Sequence, residues 1–376
     1  KAMKVIISVF IFVSGIITSA AQIVNPVEKL ALPVNLSESS GAIFFNNRLI
    51  THNDSGGENK LFELDTLSGL VTRTVTISNA INIDWEDLAQ DDTSIYIGDI
   101  GNNVNGNRTD LKIYKISKSD YLSSETINAQ TIAFSYSDQT EFTPVSANNT
   151  EWDSEAIVSF DSANLILFSK NWIDGTTIAY LIPKTLGTYV ISPMPTTLNS
   201  GGLISGGTYN PLTEKLFLVG YTNILQPFVW QSEGFNGSDV FSGTNTQTLL
   251  SSFGFEQAEG ITYVNENRYF ITSESFIQSI FSDYAKLIAF STNDISLAIT
   301  EENEIDNIVL YPNPVNDVLH IENIIVNSVE IYDTKLTKLY TGNSSSIDMS
   351  GFSQGIYIVV IIKKEGFPII KKIVKN

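Results

Sequence analysis

The chain has 376 residues, 43% of them hydrophobic, and carries 22 Lys and Arg against 41 Asp and Glu, a net charge of −19. With no cysteine, disulfides, thiolate metal sites and cysteine nucleophiles are excluded together. The acidity argues against a nucleic-acid partner, whose phosphates need clustered cations, and against an anionic membrane surface.

Lys1 and Lys4 precede an apolar run from Val5 to Ile17, and Thr18-Ser19-Ala20-Ala21 follows with small residues. That order predicts a signal peptide over residues 1–21. The run is too short to cross hydrocarbon comfortably, and no later stretch reaches transmembrane length, so no integral membrane segment is expected in the mature chain.

From Val27 to Ile295 short apolar strands alternate with Asn, Asp, Gly and Ser turns, and helical spacing is almost absent. An all-β domain over residues 22–300 is predicted. Its strands recur in triplets. The first triplet is Ser40–Phe45, Leu49–Asp54 and Lys60–Asp65, and others begin at Glu86, Glu155, Gly206 and Glu259. A period of about 50 residues is that of a four-stranded propeller blade. Five blades are counted, with a sixth possible in the longer interval between Ser117 and Thr150. Val27–Leu32 is expected to close the ring as outer strand of the last blade.

Superposing the triplets aligns Ser40, Glu86, Glu155, Gly206 and Glu259 at the start of the inner strands. A second column holds Asp54, Asp99, Lys170, Tyr221 and Glu274. Asp84 and Asp153 lie two residues before their glutamates and face the same side. Converging on one mouth of a central channel, such carboxylates raise each other's pKa unless cations or donors intervene. Calcium suits oxygen donors without Cys or His, with Glu86, Asp99, Glu155, Glu259 and Glu274 as candidate ligands. The loop Asp99–Asn107 offers further oxygens. Asp54, Lys170, Tyr221 and Arg108 are candidate contacts to a bound ligand. Glu86 and Glu155 are the pair suited to acid–base catalysis. Capping of strand ends by backbone N–H groups explains the same carboxylates without a ligand. His52, beside Asp54, is read as a packed strand residue. Trp85 and Trp152, close to ring carboxylates, suit either a sugar ring or packing between blades.

The words His52-Asn53-Asp54-Ser55-Gly56-Gly57, Asp84-Trp85-Glu86-Asp87-Leu88-Ala89 and Tyr96-Ile97-Gly98-Asp99-Ile100-Gly101, with Arg108, resemble secreted bacterial propellers of the phytase-like or six-bladed type. Ser154-Glu155-Ala156-Ile157 and Gln257-Ala258-Glu259-Gly260-Ile261 continue the match in order. The resemblance favours six blades and implies no settled reaction. Propeller phytases hold phosphate with several calcium ions and basic side chains; Lys170 and Arg108 are the basic residues available here.

An acidic linker, residues 301–307, leads into a C-terminal domain over 308–376. Its short β-branched runs around Val318–Ile321, Val329–Tyr332 and Ile356–Ile362 predict a small antiparallel sandwich. Tyr311-Pro312-Asn313-Pro314, then Ile331-Tyr332-Asp333, Gly355-Ile356-Tyr357 and a Lys-rich final strand resemble the type A C-terminal sorting domain of type IX secretion. That resemblance implies export through the periplasm and across the outer membrane of a Gram-negative cell by the type IX machinery. It also implies removal of the domain, and release or attachment to surface lipopolysaccharide. The expected protein is thus a secreted or cell-surface cation-dependent binding module. The alternative is a calcium-dependent hydrolase of phosphoesters or glycans.

Overall fold

The computed structural model describes residues 23–54, 56–278, 281–294, 309–322, 326–334, 337–362 and 369–376. The signal peptide and acidic linker expected from sequence lie outside these residues. The chain divides into two compact units, Lys1–Ala298 and Ile299–Asn376. Among the described residues no helix is long and apolar enough to cross a membrane.

The first unit is a propeller of five antiparallel sheets. Blade I is built from Ser39–Phe45, Arg48–Asn53, Lys60–Leu64 and Val71–Ile77, and blade II from Trp85–Gln90, Ser94–Asp99, Lys112–Ser117 and Gln130–Tyr136. Blade III uses Ser154–Ser159, Asn164–Ser169, Thr176–Pro183 and Pro193–Asn199; blade IV uses Leu203–Asn210, Lys215–Tyr221, Pro227–Glu233 and Thr244–Leu249. Blade V takes Gln257–Tyr263, Arg268–Glu274 and Lys286–Ser291 from late in the chain and its outer strand, Val24–Ala31, from the beginning. The closure expected from Val27–Leu32 is therefore formed. The first strand of each blade packs beside the first strand of the next, and blade V returns to blade I.

The long interval after blade II holds no sixth blade. It supplies the short helix Lys118–Ser123, the outer strand of blade II, and Thr126–Ile127, which pairs in parallel with the outer strand of blade I. Gly187–Ile191 pairs in parallel with Gln130–Tyr136 in the same way, so residues from blade III extend blade II. Both additions cover edges that would otherwise be open.

Local sequence explains the tightness of the ring. At Gly41 a Cβ would lie 2.5 Å from the Leu88 amide nitrogen, and at Gly206 it would lie 2.0 Å from the Glu259 carbonyl oxygen. Only glycine lets neighbouring inner strands approach this closely. Between blades the faces are apolar and aromatic. Trp85, Tyr96, Phe168, Phe217 and Tyr269 are fully buried there, as radial sheets without disulfides require.

The second unit has two antiparallel sheets. Val309–Tyr311, Val318–Glu322 and Ser346–Asp348 form one; Lys338–Gly342, Ser328–Tyr332, Gly355–Ile362 and Ile369–Lys375 form the other. Val315, Leu319, Ile331, Ile347 and Val359 share one buried core, giving the small sandwich expected from the alternation of its strands.

Candidate functional site: a carboxylate mouth

Every inner strand carries a register break where it begins to pair with its neighbour. The breaks fall between Ser39 and Ala42, Trp85 and Leu88, Ser154 and Ala156, Ile204 and Gly206, and Ala258 and Gly260. Such bulges re-aim side chains. The equivalent residues are Ser40, Glu86, Glu155, Ser205 and Glu259. Blade IV thus contributes Ser205 and not Gly206, which flanks the bulge.

Blades II, III and I bring their carboxylates together at this mouth. Oxygens of Asp54, Asp84 and Glu86 lie within 4.8 Å of one another, and so do those of Glu86, Asp153 and Glu155. Glu86 belongs to both groups. It is 3% exposed, and among the described residues no hydrogen-bond donor reaches its carboxylate. Burial first, then the charges of Asp54, Glu155, Asp84 and Asp153, push its pKa well above the ordinary range. Asp84 is pushed up to about 7 by burial and by Asp54 and Asp153, against the pull of Arg108.

The other side of the mouth is partly neutralised. The Lys170 ammonium donates to Glu155 and, at 3.1 Å, to the Tyr221 hydroxyl. It also lies 5.0 Å from the Trp172 ring centroid and 5.2 Å from that of Tyr221. Burial opposes its charge, but Glu155, Tyr221, Glu259 and Asp153 hold its pKa above the usual value. Asp153 accepts from the Asn102 amide at 2.6 Å and the Trp172 indole at 2.7 Å. Glu259 rises to about 7 through burial, despite Lys170. Glu274, at the end of its strand, is likewise raised, by burial and then by Glu259 and Asp54.

Asp99 is engaged elsewhere. It accepts from Arg108 at 2.9 Å, from the Asp84 amide at 3.2 Å, and pairs with Lys112 at 3.3 Å. Arg108 also donates to the Gly101 carbonyl at 2.7 Å and pairs with Asp110 at 3.1 Å. The 99–107 loop spends oxygens on itself and its neighbours: Asn102 Oδ1 accepts the Arg108 amide, and the Asn103 and Asn105 carbonyls accept those of Asn148 and Val145. Its service is to bring Gly101 against the carboxylates. A Cβ there would stand 2.0 Å from Glu86 Oε1 and 2.3 Å from Asp84 Oδ2. Beside it opens a recess of about 360 Å³ lined by Asp84, Asn102, Asn107 and Arg108.

Two buried groups complete the picture. Asp87, absent from the sequence-derived site, accepts backbone N–H groups of Leu88, Ile157 and Gly207 at 2.8, 3.0 and 3.0 Å. The Asp-Trp-Glu-Asp run was the available signal, but strict alternation turns Asp87 the wrong way. His52 is fully buried, edge-on to Trp85 at 5.7 Å, and burial pushes its pKa down to about 4. Trp85 is a packing residue, its indole donating to the Ile81 carbonyl at 3.2 Å.

Fold and site define an all-β propeller with a buried acidic mouth, followed by a small β-sandwich. Residues 309–376 match the family model of the secretion system C-terminal sorting domain. The C-terminal unit is therefore a type IX sorting domain, and the protein is exported to the cell surface or secreted. No curated protein sequence matches the chain. Among solved structures, the PQQ-bound aldose sugar dehydrogenase of Streptomyces coelicolor is 9% identical, with a TM-score of 0.39, over 71% of this chain and 98% of that one. The Malassezia sympodialis allergen Mala s 1 is 10% identical, TM-score 0.40, over 74% and 98%. The Bombyx mori GH32 β-fructofuranosidase is 8% identical, TM-score 0.41, over 93% and 88%.

Proposed function

We propose that the exported propeller is a cation-dependent binding module whose acidic mouth takes a calcium ion and, through it, a polar ligand. The observation that carries this reading is Glu86: a buried carboxylate that no donor reaches among the described residues, set among four other carboxylates. Calcium–oxygen distances of about 2.3–2.6 Å allow ligand oxygens up to roughly 5 Å apart across the ion. Each group by itself fits that span, and Glu86 is common to both. Asp54, Asp84 and Glu86 would form one side of the sphere and Asp153 and Glu155 the other, which shifts the ligand set away from Asp99, Glu259 and Glu274.

Binding is favoured over phosphoester hydrolysis because the basic groups at the mouth are already committed. Lys170 is held by Glu155 and Tyr221, and Arg108 by Asp99 and Asp110. A phosphoryl group would have to displace them. After export, attachment to surface lipopolysaccharide belongs to the same reading, and mass spectrometry of the processed protein tests it: a lipopolysaccharide-sized addition is expected.

Calorimetric titration of the chelated protein with calcium tests the proposal. At 100-fold excess over Kd, calcium adds about 2.7 kcal/mol, and Glu86→Gln removes most of that response. No heat and no change in melting in the unsubstituted protein would defeat the proposal. Calcium-dependent turnover of phosphoester or glycan substrates would convert it to the hydrolase reading.

A further inference from the structure

The opposite mouth of the ring, where the inner strands end, holds a cleft of about 610 Å³, well inside the range of about 300–1,000 Å³ usual for small-ligand sites. Four blades contribute half-buried aromatic rings to it: Phe44 and Phe45, Phe160, Tyr209 and Tyr263. Phe160 and Tyr209 stand 5.1 Å apart, ring centre to ring centre. Each of these rings packs one side against a blade core and, being half-buried, keeps part of its surface open to the cleft.

The polar groups among these rings fall into two sets. Lys184 is fully used, donating to Asp91 at 3.0 Å, Ser159 at 2.8 Å and the Asp161 carbonyl at 2.6 Å. By contrast, the Tyr209 and Tyr263 hydroxyls, the Lys118 ammonium and the Asp92 carboxylate have no hydrogen-bond partner among the described residues. Lys118 rests 4.2 Å from the Phe45 ring centroid. Donors and acceptors are thus interleaved with aromatic faces. Both signs of charge are present, so a strongly anionic ligand meets Asp92 and Asp161, and a strongly cationic one meets Lys118. A neutral ligand with many hydroxyls and apolar C–H faces meets a complement everywhere.

We propose that this second mouth is a binding site for neutral saccharides, distinct from the acidic mouth and independent of its cation. The test uses the full chain, in chelator, titrated with maltose, cellobiose, lactose and chitobiose and followed by saturation-transfer NMR and calorimetry. At least one disaccharide is expected to bind. Tyr209→Ala combined with Tyr263→Ala weakens it about tenfold or more, equivalent to about 1.4 kcal/mol. Lys118→Ala, on the half-buried rim, weakens it without risk to the core, and thermal melting of each variant reports the fold. The proposal is overturned if none of the four sugars binds, if binding is lost in chelator, or if it survives these substitutions unchanged.

Discussion

The Asp87 carboxylate accepts the backbone N–H of Gly207 across 120 positions of chain, at 3.0 Å. The same carboxylate accepts that of Ile157, so one side chain on blade II binds the inner strands of blades III and IV. Asp87→Ala leaves these amides buried and unpaired. At about 1–3 kcal/mol for each orphaned group, the loss is on the order of 3 kcal/mol or more, read from the midpoint of urea unfolding. Asp87→Asn keeps an acceptor and loses less. Equal midpoints for all three proteins would show that the hub carries no load.

Without a cation, the acidic mouth makes stability fall as pH rises. Asp84 and Glu259 have folded pKa values raised to about 7 from 3.8 and 4.5. Their protonated forms therefore favour the fold, fully below about pH 4, and that contribution is lost as pH climbs through 7. In chelator the melting temperature should drop between pH 5 and 8, and calcium should flatten the drop. His52 acts oppositely: its folded pKa of about 4 lies below 6.5, so its contribution is present above pH 6.5 and lost on acidification. A melting temperature in chelator that climbs steadily from pH 5 to 8 would contradict the crowding of the mouth.

Gly101→Ala probes the same site from the backbone. The added methyl falls on Glu86 Oε1 and Asp84 Oδ2 and must push both carboxylates aside. The calcium response should shrink at least as far as in Glu86→Gln, while melting in chelator changes by little. A variant with undiminished calcium affinity would place the ion elsewhere.

Lys170→Met separates two roles of a buried cation. Removing it strands Glu155 beside Asp153 and Glu259, costing about 3–5 kcal/mol in chelator. It also removes a positive charge that competes with calcium, so calcium affinity rises even as the chelated protein weakens. Differential scanning fluorimetry with and without calcium reads both. Weakened affinity would mean that Lys170 positions the ligands.

Much of this architecture was legible because blade repetition leaves a visible period. Glu86, Glu155 and Glu259 could be aligned from spacing alone, and Val27–Leu32 could be assigned to closure because it had no partners of its own. The bulges could not be read. A bulge inserts a residue into a two-residue alternation, so strict counting selected Gly206 where Ser205 occupies the position and gave Asp87 no axial role. From sequence Asp99 is a candidate ligand, because its partners in the structure, Arg108 and Lys112, follow in a loop and a strand whose folding back no periodicity reveals. The two-residue strand Thr126–Ile127 is too short for any pattern. The interval containing it therefore left room for a sixth blade, where the structure places edge strands.

Blade V is shared between the two ends of the propeller chain, Val24–Ala31 pairing with Lys286–Ser291. A polypeptide joined in this way is topologically clasped. Cleavage within the exposed stretch at Glu141 would leave an amino-terminal fragment still clamped to its carboxyl-terminal remainder through that common sheet. A protease encountered outside the cell could therefore cut this protein and leave it in one piece, two bands on a denaturing gel but a single particle in solution.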